Sequence, residues 1–415
     1  MTVTAPVADT AAALLDEGSA TAVAGASRGA WAGLGSVDGQ EIALAVVPAE
    51  VPVSAVGEAV GRVVDLASSG GRPLVLVLGV DGGAGDGSVP PTGQDVTAGS
   101  ALLRRMTHAS GIVPQIAVVV GPCLGPWAAV AAAADLVVVA EDEAHLRTVH
   151  PFDVAAATGE LVSADDLGAA AVLRDNGTAH LSVPDRAAAL ERVRELLGLL
   201  PANNLSRPRP VPAAAPTGGT GLRALLDGAR FLELQPGYAA NVRCGLGRTG
   251  GDVVGVVATA SETDSGALTP QAAVKAARFV RFCDAFGLPV VTVVDTPGVL
   301  PDVTAERSGQ VRDLAGLGQV YAAASVPLVT VVTGRAHGLA GSVLGARALG
   351  ADLVLGWPQA SFGDGTVDAQ QAVAAGLLDE VVEPDATAGA VRRGLSWLRT
   401  KRVPAPVRRH VTGAR

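Results

Sequence analysis

The chain has 415 residues, enough for two domains with their own cores, because a single core stops growing at about 250 to 300 residues. A formal net charge of -9 argues against nucleic acid or an anionic membrane surface as the main partner. Three widely spaced cysteines, Cys123, Cys244 and Cys283, make neither a CxxC zinc half-site nor a redox couple, which fits a reduced, cytoplasmic setting without a bound metal.

The N-terminal stretch MTVTAPVADTAAALLDEGS lacks a basic region followed by an apolar core, so no signal peptide is expected. Further on, Ile116 to Ala134 carries no charge. Gly121, Pro122, Gly125 and Pro126 interrupt it, so a buried strand, a turn and a buried helix are expected instead of a membrane span.

The first half of the chain can be laid on the second. Leu14-Leu15-Asp16 recurs as Leu225-Leu226-Asp227, GLGSVDGQEIALAVV from Gly33 as GLGRTGGDVVGVVAT from Gly245, and PQIAVVVG from Pro114 as PLVTVVTG from Pro327. Gly125 falls on Gly338, and Asp81, after PLVLVLGV, falls on Asp295, after PVVTVV. These matches in order point to tandem duplication of a domain of about 200 residues. Each copy opens on a hairpin-like segment and continues with strands alternating with helical stretches, such as Val274 to Ala285 and Ala305 to Ala324. That is an α/β layered unit. Pro201 to Gly221, rich in Pro, Gly and Ala, reads as a linker, so domains are expected at 1–209 and 210–415, with loose chain ends.

One stretch, Pro327 to Asp352, has the pattern of an active site. Leu328 to Val332 reads as a buried strand ended by Gly334, and a small-residue helix is expected to begin near Gly338 to Ala340. Val343, Leu344, Ala346 and Leu349 continue the helical spacing. The first amides of a helix have no intrahelical acceptor, and with the positive end of the helix dipole they suit an oxygen that gains negative charge. The alternative is a tight strand-to-helix turn whose glycines serve packing alone.

Motifs along nearly the whole chain resemble the carboxyltransferase β subunits of biotin-dependent acyl-CoA carboxylases, of the propionyl-CoA and acetyl-CoA carboxylase type. They include LLDEGS at Leu14, SGIVPQI at Ser110, GPCLG at Gly121, LLGLLPANN at Leu196, FLELQPGYAANV at Phe231, KAARFVRFCDAF at Lys275, VDTPGVLP at Val294 and VAAGLLDEVVEPDAT at Val373. The resemblance implies tandem crotonase-like domains, the first (1–209) on the acyl-CoA side and the second (210–415) on the biotin side. It also implies transfer of a carboxyl group from carboxybiotin on a carrier protein to the α carbon of an acyl-CoA. Biotin carboxylase and carrier subunits are the implied partners, with a hexamer of homo- or hetero-oligomeric composition. No acid or base side chain is needed. By motif position, Leu339 and Ala340 supply amides to the biotin ureido oxygen, with Gly338 making the turn. Gly125, Pro126 and Trp127 occupy the matching thioester-side turn.

The chain departs from that pattern in four places. Gly125-Pro126-Trp127 replaces Gly-Gly-Ala, and proline has no amide to donate. Asp81-Gly82-Gly83-Ala84-Gly85 replaces Asp-Ser-Gly-Gly-Ala-Arg, and Val149-His150-Pro151-Phe152 replaces Thr-Gly-Pro-Asp. After Trp357-Pro358 a helical insert is missing. The changes fall mostly in the first copy, and Pro126 and Trp127 favour one alternative to the enzyme, a largely non-catalytic partner of an active paralogue; the resemblance leaves another within the same superfamily, a biotin-independent malonyl-thioester decarboxylase.

Several single residues have two readings. His337 contacts biotin or packs the turn; His150 is a new base or a loop residue; Trp127 is a pocket lid or plug. Asp81 and Asp295 are acids or turn residues, and Glu141 to Glu143 read as a solvated turn. No P-loop, zinc-binding HExxH or serine-hydrolase elbow appears in a supporting context.

Overall fold

A computed structural model describes residues 5–23, 29–49, 51–81, 91–214 and 221–401. The departure at Gly82 to Gly85, the outermost chain ends and residues 215–220 of the linker lie outside them. The chain divides into two compact units, Met1–Arg207 and Pro208–Arg415.

In unit 1, among the described residues, one sheet has the order β1 (Thr21–Ala22), β2 (Trp31–Val37), β3 (Gln40–Pro48), β4 (Leu74–Val80), β5 (Gln115–Val119), β7 (Leu136–Ala140) and β9 (Leu181–Val183). β6 (Pro122–Leu124) and β8 (His145–Arg147) form a separate parallel pair. The first pairings are antiparallel and those from β3 onward are parallel. Every residue of β4, β5 and β7 is buried, as expected where helices cover both faces of a parallel sheet.

Unit 2 repeats this plan. Its sheet runs β10 (Phe231–Leu234), β11 (Val242–Thr249), β12 (Asp252–Thr259), β13 (Val290–Thr296), β14 (Leu328–His337), β15 (Leu353–Gly356) and β18 (Glu380–Val381). Off this path, β16 (Ser361–Gly363) pairs with β14, and β17 (Val367–Asp368) pairs with β16. Again an antiparallel opening gives way to parallel strands.

The duplicated LLD motif has a structural cause. Each opening hairpin turns through two residues of positive φ, Asp38-Gly39 (49° and 73°) and Gly250-Gly251 (62° and 87°), the geometry that matches strand twist in a two-residue loop. In unit 1 the Asp16 carboxylate accepts the amides of Asp38 at 3.0 Å and Gly39 at 2.9 Å. In unit 2 Asp227 accepts those of Gly250 at 3.1 Å and Gly251 at 2.7 Å, and pairs with Arg392 at 2.6 Å.

One expected correspondence is two residues out. β4 begins opposite β5 at Leu74–Gln115, and β13 begins opposite β14 at Val290–Leu328, so the counterpart of Asp295 is Gly79 and not Asp81. Pro73 and Pro289, which open the two strands, occupy the same place in each copy, and the first copy runs two residues longer to its aspartate. In unit 1 Gly79 lies against Gly121, where a Cβ on Gly121 would stand 2.1 Å from the Gly79 carbonyl oxygen; in unit 2 Asp295 lies against Gly334, whose Cβ would stand 2.7 Å from Oδ1.

Replacing Asp227 with Ala removes the acceptor of two turn amides and the partner of a half-buried guanidinium. We expect a loss of about 3 kcal/mol in urea unfolding, the scale for breaking a buried pair, and a smaller loss for Asp227→Asn. A loss below about 1 kcal/mol for Asp227→Ala would show that the hairpin does not depend on this carboxylate.

Candidate functional site

The expected strand in unit 2 does not stop at Gly334. β14 continues to His337 by changing partners: Val329 to Val332 pair with β15, whereas Arg335 to His337 pair with β16. At the change, the β13–β14 register shifts between Val294 and Thr296. Asp295 sits in that gap. Its Oδ1 accepts the Arg335 amide at 3.0 Å and the Arg335 Nε at 2.9 Å, while Nη2 of the same arginine donates to the Ser265 carbonyl at 2.9 Å. Asp295 is therefore a clamp across a bulge in the β13–β14 ladder. Burial pushes its carboxyl up, but the hydrogen bonds and charge of Arg335 outweigh that, leaving it below the ordinary 3.8.

Past the clamp, His337 is extended and Gly338 takes φ +54°, starting the helix Gly338–Val343. Gly341 lets this helix sit on the strand end, since a Cβ there would lie 2.4 Å from the Ala336 carbonyl carbon and oxygen. No side chain caps the helix, and the Leu339 and Ala340 amides fall in the first turn, where no intrahelical carbonyl is available. Leu339 is 47% exposed, whereas Ala340 is fully buried. The turn is bare of side chains on one flank: a Cβ on Gly338 would meet only the Cα of Gly298, at 4.0 Å, and one on Gly298 would meet only the His337 carbonyl oxygen, at 3.9 Å. The helix is shorter than its apolar spacing suggests. It ends at Val343, and Arg347–Leu349 is a separate 3-10 turn.

His337 is half-buried, with Nε2 2.9 Å from the Ser361 hydroxyl, so its ring ties the turn to β16. The missing insert leaves a short connection: Ala360 donates to the Trp357 carbonyl and the chain enters β16 directly, while the Trp357 indole donates to Thr387 Oγ1 at 2.9 Å.

Unit 1 builds the same turn at Gly125, φ +58°, followed by the helix Pro126–Ala132 with proline at its first position. The Gly125 amide donates to the Arg147 carbonyl at 3.0 Å, and Pro126 packs on Gly99, whose Cβ would lie 2.7 Å from the proline ring. Trp127 is 7% exposed and its side chain belongs to the core of unit 1, which is not the position of a lid; the indole donates to the Val51 carbonyl at 2.8 Å. His150 caps the helix Pro151–Thr158, its Nδ1 accepting the Phe152 amide at 3.1 Å. Asp81 is exposed beyond the end of β4, and Glu141 to Glu143 form an exposed turn. Among the described residues, no group of three or more His, Cys, Asp or Glu side chains is placed to hold a metal ion, and no helix is long and apolar enough to cross a membrane.

Two α/β units, each placing a positive-φ glycine and a short helix at the end of a parallel strand, define the class of tandem crotonase-like domains. The profile of the carboxyl transferase domain matches residues 9–219 and 221–375. The propionyl-CoA carboxylase beta chain of Saccharopolyspora erythraea is 34% identical over 92% of this chain and 82% of its own length. The biotin-dependent acetyl-/propionyl-coenzyme A carboxylase beta5 subunit of Mycobacterium tuberculosis is 34% identical over 80% of this chain and 66% of its own. The solved structure of the transcarboxylase 12S hexamer with methylmalonyl-coenzyme A bound matches with a TM-score of 0.89 and 26% identity, covering 98% of this chain and 92% of that one. The chain belongs to the carboxyl transferase family.

The clamp sets a pH dependence. Because the folded Asp295 is depressed, its contribution to stability is complete above 3.8 and is lost as pH falls through the lower folded value. The difference in urea midpoint between the wild type and Asp295→Asn should hold from about pH 7 to about pH 5 and close below 3.8. A difference that persists unchanged down to about pH 3 contradicts the clamp.

Proposed function

We propose that the chain is a carboxyltransferase subunit that moves a carboxyl group from carboxybiotin, borne on a carrier protein, to the α carbon of an acyl-CoA. The observation that carries this reading is the Gly338 turn, with two first-turn amides and a flank where Gly338 and Gly298 face each other without side chains. Carboxybiotin, when bound, supplies the carboxyl group and a ring nitrogen that accepts the α proton.

The chain's own residues bind and orient. Unit 2 is the biotin side: Gly338 turns the backbone, Leu339 and Ala340 donate to the ureido oxygen, and His337 holds the turn against β16. Fixed amides of this kind require no reorganisation as charge develops. Unit 1 is the acyl-CoA side. There Gly125 makes the turn and the Trp127 amide faces the thioester oxygen, with Pro126 giving one donor fewer. The partners under this reading are the biotin carboxylase and carrier subunits and further carboxyltransferase subunits in an oligomer.

Pro126 also favours a second reading, a subunit that chiefly lends its second unit to an active paralogue's site. Full turnover by an oligomer of this chain alone excludes it.

With biotinylated carrier, biotin carboxylase, ATP, bicarbonate and a panel of acyl-CoAs, the chain should form a carboxylated acyl-CoA. No product from any member of the panel sinks the proposal. Within that assay Leu339→Gly, which keeps the amide, should retain activity. Leu339→Pro, which copies what unit 1 already accommodates at Pro126, should lower turnover roughly 100- to 1000-fold, the usual loss for one oxyanion donor. Equal activity of the two variants would remove the Leu339 amide from the mechanism.

A further inference from the structure

The two strands beneath the Gly338 turn carry threonines in the middle of otherwise apolar runs. Thr292 of β13 and Thr330 of β14 are register partners, both 2% exposed, and so share one face of the sheet. The buried Tyr321, from the helix Gln310–Ala323, places its hydroxyl 2.9 Å from Thr292 Oγ1. Thr330 does something different: its Oγ1 donates to the Gly345 carbonyl at 2.6 Å in a fully buried bond. Gly345, at φ +62°, lies just past the helix Gly338–Val343, and a Cβ there would stand 2.7 Å from Thr330 Oγ1, 3.2 Å from Thr292 Oγ1 and 3.3 Å from the Tyr321 ring.

The Thr330–Gly345 bond therefore closes a loop that leaves β14, makes the turn, runs through the short helix and returns to the same strand. A helix this short has few internal bonds, so its orientation is set by the packing of its buried residues Ala340 and Val343 and by what holds its two ends. At one end Asp295 holds Arg335 and β16 pairs with Arg335 to His337; at the other, the Thr330 hydroxyl holds Gly345.

We infer that Thr330 is a positioning residue for carboxyl transfer, acting through Gly345 to set where the Leu339 and Ala340 amides point. The inference rests on the carboxyltransferase reading, because it assigns those amides to the reacting group. A loss of aim at a preorganised donor costs turnover more than it costs binding of a substrate held elsewhere.

The test uses the full chain with its carrier and biotin carboxylase, comparing wild type, Thr330→Val, Thr330→Ser and Tyr321→Phe. Thr330→Val should lower kcat about tenfold with KM for acyl-CoA within about twofold, since an offset near 1 Å can cost up to about 100-fold. Thr330→Ser restores the hydroxyl and should recover most of kcat. Tyr321→Phe removes an equally buried hydroxyl that bonds Thr292 and not Gly345, and should leave kcat near wild type. Amide exchange across 338–344 should quicken in Thr330→Val and not in Tyr321→Phe. Wild-type kcat in Thr330→Val, no recovery with serine, or an equal loss in Tyr321→Phe overturns the inference. If the valine variant does not fold, exchange in the wild type decides: protection at 342–344 no better than in an exposed loop overturns it. A wild type without turnover refutes the carboxyltransferase reading instead, and the exchange contrast still decides the anchor.

Discussion

The β13–β14 ladder shifts register between Val294–Val332 and Thr296–Ala336, and the Asp295 carboxylate holds that bulge. It takes the Arg335 amide that the ladder would otherwise have used and holds the guanidinium of the same residue. Beyond the bulge β14 pairs again with β13 at Thr296–Ala336, takes β16 in place of β15 on its other edge, and turns at Gly338. The exposed backbone of the turn thus depends on a charge that is itself not at the turn.

The two units answer this geometric demand differently. In unit 1 the crossing is made by Gly79 on Gly121, backbone on backbone, and the diverted segment is a separate strand, β6, paired with β8. In unit 2 a carboxylate on Gly334 replaces the glycine pair. Both routes deliver a glycine of nearly equal φ, +58° and +54°, to the start of a short helix. The units then part company at the next residue, Pro126 against Leu339, so they share a fold while offering different numbers of donors.

Much of this was legible in the sequence for physical reasons. A carboxylate that seals a two-residue hairpin leaves a repeated LLD, and a buried parallel strand leaves a continuous apolar run, so the duplication and layer order could be read directly. The Gly338 turn was legible because small residues crowd where backbone must be approached. What escaped depends on partners distant in sequence. β14 outlasts Gly334 because β16 receives it on one edge and Thr296 of β13 on the other, and Asp295 reads as a turn residue until Arg335 is seen across the bulge. Trp127 reads as part of a pocket because nothing local shows that Val51 accepts its indole. The threonines at 292 and 330 did leave a signal, a lone hydroxyl inside an apolar run, since a buried polar group calls for an internal partner.

A site whose donors are main-chain amides is insulated from most of the genetic code. Every substitution at 339 except proline keeps the amide, while the half-exposed side chain remains open to change. Under the proposed carboxyltransferase reading, selection can therefore reshape what rests against the turn without altering the amides. Unit 1 carries the one exception, a proline at 126 in the first position of its helix, which has no amide to donate.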